Sequence, residues 1–186
     1  KGGILVRGKL LDGKIDALFI QSGIKIPFVM YRVQVDDQAK SNVKVRSQEP
    51  IKPYPYDTLA VRIPNKIDGI DLAGTITFPK GEGKYPAVIL VSGSGPQDRD
   101  ESLFGHKPFK VLADYLTKKG IIVLRYDDRG VGNSSGNFEN STIEHFSKDA
   151  VAAFQYLRGF EKVDVNKLGI IGHSEGGLIA YLLAGQ

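Results

Sequence analysis

The chain has 186 residues, enough for one well-filled core or for one domain and part of another. It carries 25 Lys and Arg against 21 Asp and Glu, interspersed so that no basic stripe forms, which argues against a nucleic-acid or anionic-membrane surface. There is no Cys, hence no disulfide framework, thiol nucleophile or cysteine metal site, and no apolar run approaches the roughly 20 residues that span a bilayer.

In chain order, residues 1–33 read as short strands, Gly3 to Val6, Ala17 to Ile20 and Ile24 to Val33, separated by turn signals at Asp12-Gly13 and Ser22-Gly23. Three short strands without a helix bury little. This region is therefore expected to be the closing part of a small all-β domain whose earlier strands lie outside the chain. Residues 34–56 lose periodicity and are punctuated by Pro50, Pro53 and Pro55, as a semi-rigid linker or as a segment draped over the next domain.

Residues 57–186 change character. Leu59, Val61 and Ile63 alternate, as do Ile70, Leu72, Ile76 and Phe78, which predicts an antiparallel hairpin closed by Asn65 to Gly69. Ala87 to Val91 is apolar at every position, the signature of a strand covered on both faces. Phe109, Leu112, Ala113 and Leu116 recur at helical spacing, with Gly120 as a stop, and Ile121 to Leu124 is a second doubly buried strand. Ser141-Thr142-Ile143-Glu144 fits a capping box ahead of a helix bearing Phe146, Ala150, Ala153, Phe154 and Leu157 on one face. Leu168 to Ile171 is a third buried strand, and Leu178 to Ala184 a helix with little polar surface. Strand and helix alternating behind a hairpin predict a mostly parallel α/β sheet with helices on both faces. In such sheets ligands bind beyond the carboxyl ends of the strands.

One of those ends carries Gly172-His173-Ser174-Glu175-Gly176 between a buried strand and a helix. Gly-x-Ser-x-Gly in that setting forms a sharp turn that lifts the serine hydroxyl above the sheet, and Gly172 and Gly176 remove the side chains that would collide with it. Ser174 is the candidate nucleophile, and the backbone N–H of Glu175 the first half of an oxyanion hole. The plainer alternative makes Ser174 an ordinary N-cap. His173 leaves the turn in another direction and is read as packing or hydrogen-bonding support rather than the base. The second oxyanion donor is expected from Val91-Ser92-Gly93-Ser94-Gly95-Pro96, through the N–H of Ser94 or Gly95. This loop fits neither G-x-G-x-x-G nor a P-loop. The run from Arg125 to Gly136 reads as a charge-locked loop buttressing the site, with Arg129 and the adjoining aspartates, Asp127 and Asp128, paired. Neither a metal nor a cofactor is expected.

Together, GSGPQDRDE, GHKPFKVLADYLTKKGIIVLRYDDRGVGNSSGNF and IGHSEGGLIA resemble the α/β-hydrolase superfamily, and within it the bacterial serine esterases of the serine-aminopeptidase-like branch that carry an N-terminal β-domain. GKIDALFIQSGIKIPFVMYRV is similar to the closing strands of that β-domain. The resemblance implies Ser174 as nucleophile, the Glu175 and Ser94 amides as oxyanion hole, a short-chain carboxylic ester as substrate, and a periplasmic or secreted location. It also implies a chain order of Ser, then Asp or Glu, then His. The chain ends at Gln186, and neither His106 nor His145 matches the family's base, so the sequence reads as the N-terminal half of the hydrolase domain, cut at both ends. By itself it is expected to be nearly inert, and its apolar last helix to drive aggregation or pairing with the missing half or another protomer. Peptide or amide hydrolysis by the same machinery, and a non-catalytic binding module, are the alternatives.

Overall fold

Period-2 alternation and a tight Asp-Gly turn are the simplest way for a short chain to pair with itself, and the first unit is built this way. In the computed structural model, which describes residues 5–21, 24–31 and 47–185, the chain divides into two compact units, Lys1–Lys44 and Val45–Gln186. The first holds strands β1 (Leu5–Leu11), β2 (Lys14–Gln21) and β3 (Ile24–Tyr31) in an antiparallel meander ordered β1-β2-β3. Asp12 and Gly13, both at positive φ, close the first hairpin with Leu11 opposite Lys14. The strand expected over Gly3 to Val6 instead runs on to Leu11, because the two-residue turn fixes a register that keeps Gly8 opposite Ala17 and Lys9 opposite Asp16. The expected Ser22-Gly23 turn and residues 32–46, which include the start of the proline-rich segment, lie outside the described residues.

In the second unit, residues 47–56 lie along helix α1 (Pro108–Lys118). Tyr56 is buried and donates to Asp114 Oδ1 at 2.9 Å, and Lys110 Nζ donates to Glu49 Oε1 at 2.9 Å. Then come β4 (Asp57–Asn65), β5 (Ile70–Phe78), β6 (Tyr85–Val91), α1, β7 (Ile122–Tyr126), α2 (Ile143–Arg158), β8 (Val163–Gly172) and α3 (Glu175–Ala184). The sheet order is β4-β5-β7-β6-β8. The hairpin side is antiparallel, β4 to β5 and β5 to β7, whereas β6 runs parallel to β7 on one side and to β8 on the other.

The fully apolar strands owe their pattern to two cores. Ala87, Ile89 and Val91 of β6 and Ile122, Leu124 and Tyr126 of β7 pack with Ala150, Ala153 and Leu157 of α2 and Ile179 of α3. The alternate positions, Leu90 and Val123, face Phe109 and Ala113 of α1 with Val88 and Leu112 around them. Helices on both faces follow from handedness. The β6-to-β7 and β7-to-β8 crossovers step in opposite directions along the sheet, so right-handed connections put α1 and α2 on opposite sides.

Two boundaries differ from expectation. The N-cap of α2 is Thr142 rather than Ser141, and its partner at the third helical position is His145 rather than Glu144. Thr142 N–H donates to His145 Nδ1 at 3.2 Å, the imidazole doing what a Glu carboxylate does in the usual box. The helix expected from Leu178 begins at Glu175. It buries Ile179, while Leu178, Tyr181 and Leu182 are exposed. Among the described residues, no helix is long and apolar enough to cross a membrane.

Candidate active site

Because β6, β7 and β8 are parallel and in register, with Val91 beside Gly172 and Leu90 beside Arg125, their carboxyl ends deliver three loops to one edge of the sheet. From the adjacent strands β6 and β8 the chain leaves for opposite faces, towards α1 and towards α3, which packs on the α2 side. Side-by-side strands whose connections diverge leave a crevice between them. Ser174 stands at its β8 lip, and residues 92–95 at its β6 lip.

The turn at Ser174 is tight to the limit of sterics. Ser174 has φ 50° and ψ −115°, a conformation that side-chain-bearing residues seldom adopt and that costs about 1–3 kcal/mol. It is held from both sides: His173 N–H donates to Val91 O at 3.0 Å, Gly176 N–H to His173 O at 2.8 Å and Gly177 N–H to Ser174 O at 3.0 Å. A Cβ at position 172 would sit 2.0 Å from Gly176 O, and one at position 176 would sit 2.2 Å from Val91 O. Both positions therefore admit glycine alone. Ser174 occupies the N-cap position of α3 yet makes no side-chain capping bond, and the residue is exposed. The plain N-cap reading thus has no bond to rest on.

The β6 loop approaches this turn closely. A Cβ built on Gly93 would lie 3.3 Å from Ser174 Cβ and 3.1 Å from His173 Nδ1. Gly95, at φ 99°, and Glu175 line the same small cavity of about 10 Å³, room for one water, together with Ser92, Gly93, Tyr126 and Asp128. Ser94 is exposed at the crest of the loop. Gly93 N–H is already committed, donating to Glu101 Oε1 at 2.8 Å. The same carboxylate oxygen lies 2.6 Å from His173 Nδ1. His173 is thus a hydrogen-bonded support, and Glu101, not singled out in the sequence, ties it to the loop.

The expectation that Arg129 pairs with its neighbouring aspartates is overturned. Arg129 Nε and Nη2 bind both oxygens of Asp149 on α2, at 2.7 and 2.8 Å, and Nη2 also reaches Asp68 Oδ2 at 2.8 Å. Asp127 is instead clamped by Arg99 at 2.9 and 2.6 Å, and accepts the backbone N–H groups of Arg99 and Asn133. Burial pushes the Asp127 carboxyl up, but Arg99 and those N–H donors outweigh it and hold it below its usual range. Arg125, buried among the same groups, pairs with Asp100.

Among the described residues, no cation pairs with Asp128. Its oxygens accept the Ser92 hydroxyl at 2.7 Å and Gln97 N–H at 3.0 Å, and burial pushes its carboxyl up to about 6 from 3.8. A raised folded-state value means that the folded protein keeps this proton after the unfolded chain has lost it. The group's contribution is most favourable below about pH 4 and is lost as pH rises through about 6, on the order of 3 kcal/mol in all. Asp128→Asn should therefore gain stability over the parent as pH is raised from 4 to 8, by about 2 kcal/mol. Urea unfolding at the two pH values measures it, and a difference that stays constant with pH would show that Asp128 ionises normally.

The α/β sheet with a strand–turn–helix serine at its carboxyl edge has the α/β-hydrolase fold, and the chain is similar to members of that superfamily. Residues 107–186 match the family described as Serine aminopeptidase, S33. Over 112 residues the chain is 44% identical to Esterase EstD of Thermotoga maritima, covering 58% of this chain and 26% of EstD. The alpha/beta hydrolase GrgF from Penicillium sp. sh18 superposes with a TM-score of 0.58 at 23% identity, covering 69% of this chain and 41% of GrgF. Est1E from Butyrivibrio proteoclasticus, solved with ferulic acid bound, superposes with a TM-score of 0.57 at 28% identity, covering 67% of this chain and 47% of Est1E. The chain spans about a quarter of EstD's length.

Proposed function

We propose that the whole protein is a serine hydrolase of carboxylic esters, acting on short acyl chains. Ser174 is its nucleophile, the Glu175 amide is one oxyanion donor, and the amide of Ser94 or Gly95 is the other. The observation that carries this reading is the backbone of Ser174, kept at φ 50° by two positions where nothing larger than glycine fits. A structural serine has no use for that conformation; a nucleophile needs it, because it leaves the hydroxyl exposed at the N-terminus of α3, where the helix dipole favours developing negative charge. In the reaction, Ser174 Oγ bonds to the acyl carbon as its proton passes to a base. The carbonyl oxygen becomes an oxyanion held by the two amides. The carbon–oxygen bond to the alcohol then breaks, the alcohol taking the proton, and water releases the acid from the acyl-serine.

His145 caps α2, His173 is bonded to Glu101, and His106 sits in the turn that pairs it with Leu103. None of these bonds the Ser174 hydroxyl, so the base is assigned to a part of the protein outside these residues, and the present chain alone should turn over poorly. Likeness to EstD and Est1E favours esters, and the name of the matching family keeps a peptidase as the second reading. A fluorophosphonate should label the whole protein at Ser174, and p-nitrophenyl acetate or butyrate should be cleaved faster than aminoacyl anilides. Labelling elsewhere would remove the nucleophile assignment; faster anilide cleavage would reverse the order of the two readings.

A further inference from the structure

The Glu101 carboxylate lies at the point where the β6 loop meets the Ser174 turn. One oxygen, Oε1, takes the Gly93 N–H at 2.8 Å and the His173 Nδ1 at 2.6 Å, so a single atom ties the residue before Ser94 to the residue before Ser174. The residue is buried, 7% exposed, and stands at φ 53°, a strained conformation for a residue with a long side chain. Such strain persists only where the surroundings fix it, and here they do. Asp98 Oδ1 accepts the N–H groups of Asp100 and Ser102 at 2.9 and 3.0 Å, Asp98 O accepts Glu101 N–H at 2.9 Å, and Arg99 is locked to Asp127. The 98–102 turn is therefore a rigid mount for one carboxylate. Gly93 completes the arrangement, since a Cβ there would crowd Glu101 Oε1 at 3.3 Å and Ser174 Cβ at 3.3 Å.

We propose that Glu101 is a positioning residue that sets the separation of the two oxyanion donors. The donors belong to different strands: the Glu175 amide follows β8, and the Ser94 or Gly95 amide follows β6. Below this level, hydrogen bonding between β6 and β8 sets their spacing; above it, the bridge from Gly93 through Glu101 to His173 does. Because Gly93 N–H points at Glu101, it is withdrawn from the substrate, and the next amides in the loop are left to face the oxyanion. The proposal rests on the reading of Ser174 as nucleophile.

The test uses the whole protein and p-nitrophenyl acetate, with thermal unfolding to confirm folding. Glu101→Ala should lower kcat by about 10²–10³, the cost of losing one oxyanion donor, with KM within threefold. Binding of a phenylboronic acid, which forms a tetrahedral adduct on serine, should weaken in parallel, while inhibition by product acetate should not change. Glu101→Gln keeps an oxygen that can accept from both partners and should recover kcat to within tenfold of the parent. His173→Ala cuts one arm of the bridge and should fall between them; it replaces Glu101→Ala should that variant not fold. A kcat within threefold of the parent, a loss confined to KM, or a Gln variant no better than Ala would each overturn the proposal. Failure of the underlying reading would look different, as esterase activity surviving in Ser174→Ala with Glu101 intact.

Discussion

Ser174→Ala in the whole protein is expected to lower kcat for a p-nitrophenyl ester by about 10⁶ while leaving the fold intact. The size follows from chemistry rather than packing. In the proposed mechanism no acyl-enzyme forms without the hydroxyl, and what remains is water attack assisted by the proposed oxyanion amides. The fold should be indifferent because the residue is exposed and makes no side-chain capping bond. Alanine at φ 50° is as strained as serine, so its stability should match the parent within about 0.5 kcal/mol. Ser174→Gly separates strain from chemistry. It should be equally inactive but more stable by about 1 kcal/mol, since glycine tolerates positive φ. Steady-state kinetics beside chemical unfolding read both quantities. A Gly variant less stable than the Ala variant would mean that the turn is not strained, and the geometric case for a nucleophile would fall with it.

What the sequence disclosed, and what it hid, follows a physical division. Ala87 to Val91 had to be covered on both faces because all its positions are apolar, and the structure puts α2 on one side and α1 on the other. Gly172 and Gly176 were legible because the spacing of small residues around a serine is local information. The partners of Arg129 were not. Asp149 lies 20 positions away and Asp68 lies 61 away, and only the tertiary fold brings them to one guanidinium. Glu101 was hidden for the same reason. Its partners are 8 and 72 residues distant, and a side-chain-bearing residue at positive φ carries no sequence mark. The α2 cap slipped by one residue because His145 can accept through Nδ1 as a carboxylate would, a substitution that the usual Ser/Thr-x-x-Glu pattern does not include.

The largest structural effect is expected at Asp149, through which α2, the β4–β5 turn and the loop after β7 are joined. Its Oδ2 accepts Arg129 Nε, and its Oδ1 accepts both Arg129 Nη2 and Asn65 Nδ2, the latter at 2.7 Å; the two charged side chains are 5% and 2% exposed. Asn65 in turn receives the N–H groups of Ile67 and Asp68, so the acceptor at 149 fixes the connection between the hairpin strands. Asp149→Ala strips a buried guanidinium of its two-point partner and should cost about 3–5 kcal/mol, a fall in melting temperature on the order of 10 °C. Much of that is the penalty of a buried guanidinium left with Asp68 and His145 O in place of a two-point carboxylate, rather than the value of the pair. The double variant Arg129→Met, Asp149→Ala should therefore be more stable than Asp149→Ala alone, because Asp68 keeps Lys148 at 3.1 Å and no buried charge is stranded. It should not return fully to the parent, since Asn65 Nδ2 still lacks its acceptor, worth about 1–3 kcal/mol when buried. A double variant no more stable than Asp149→Ala would place the energy in the Asn65 contact and the turn it holds, and not in the ion pair.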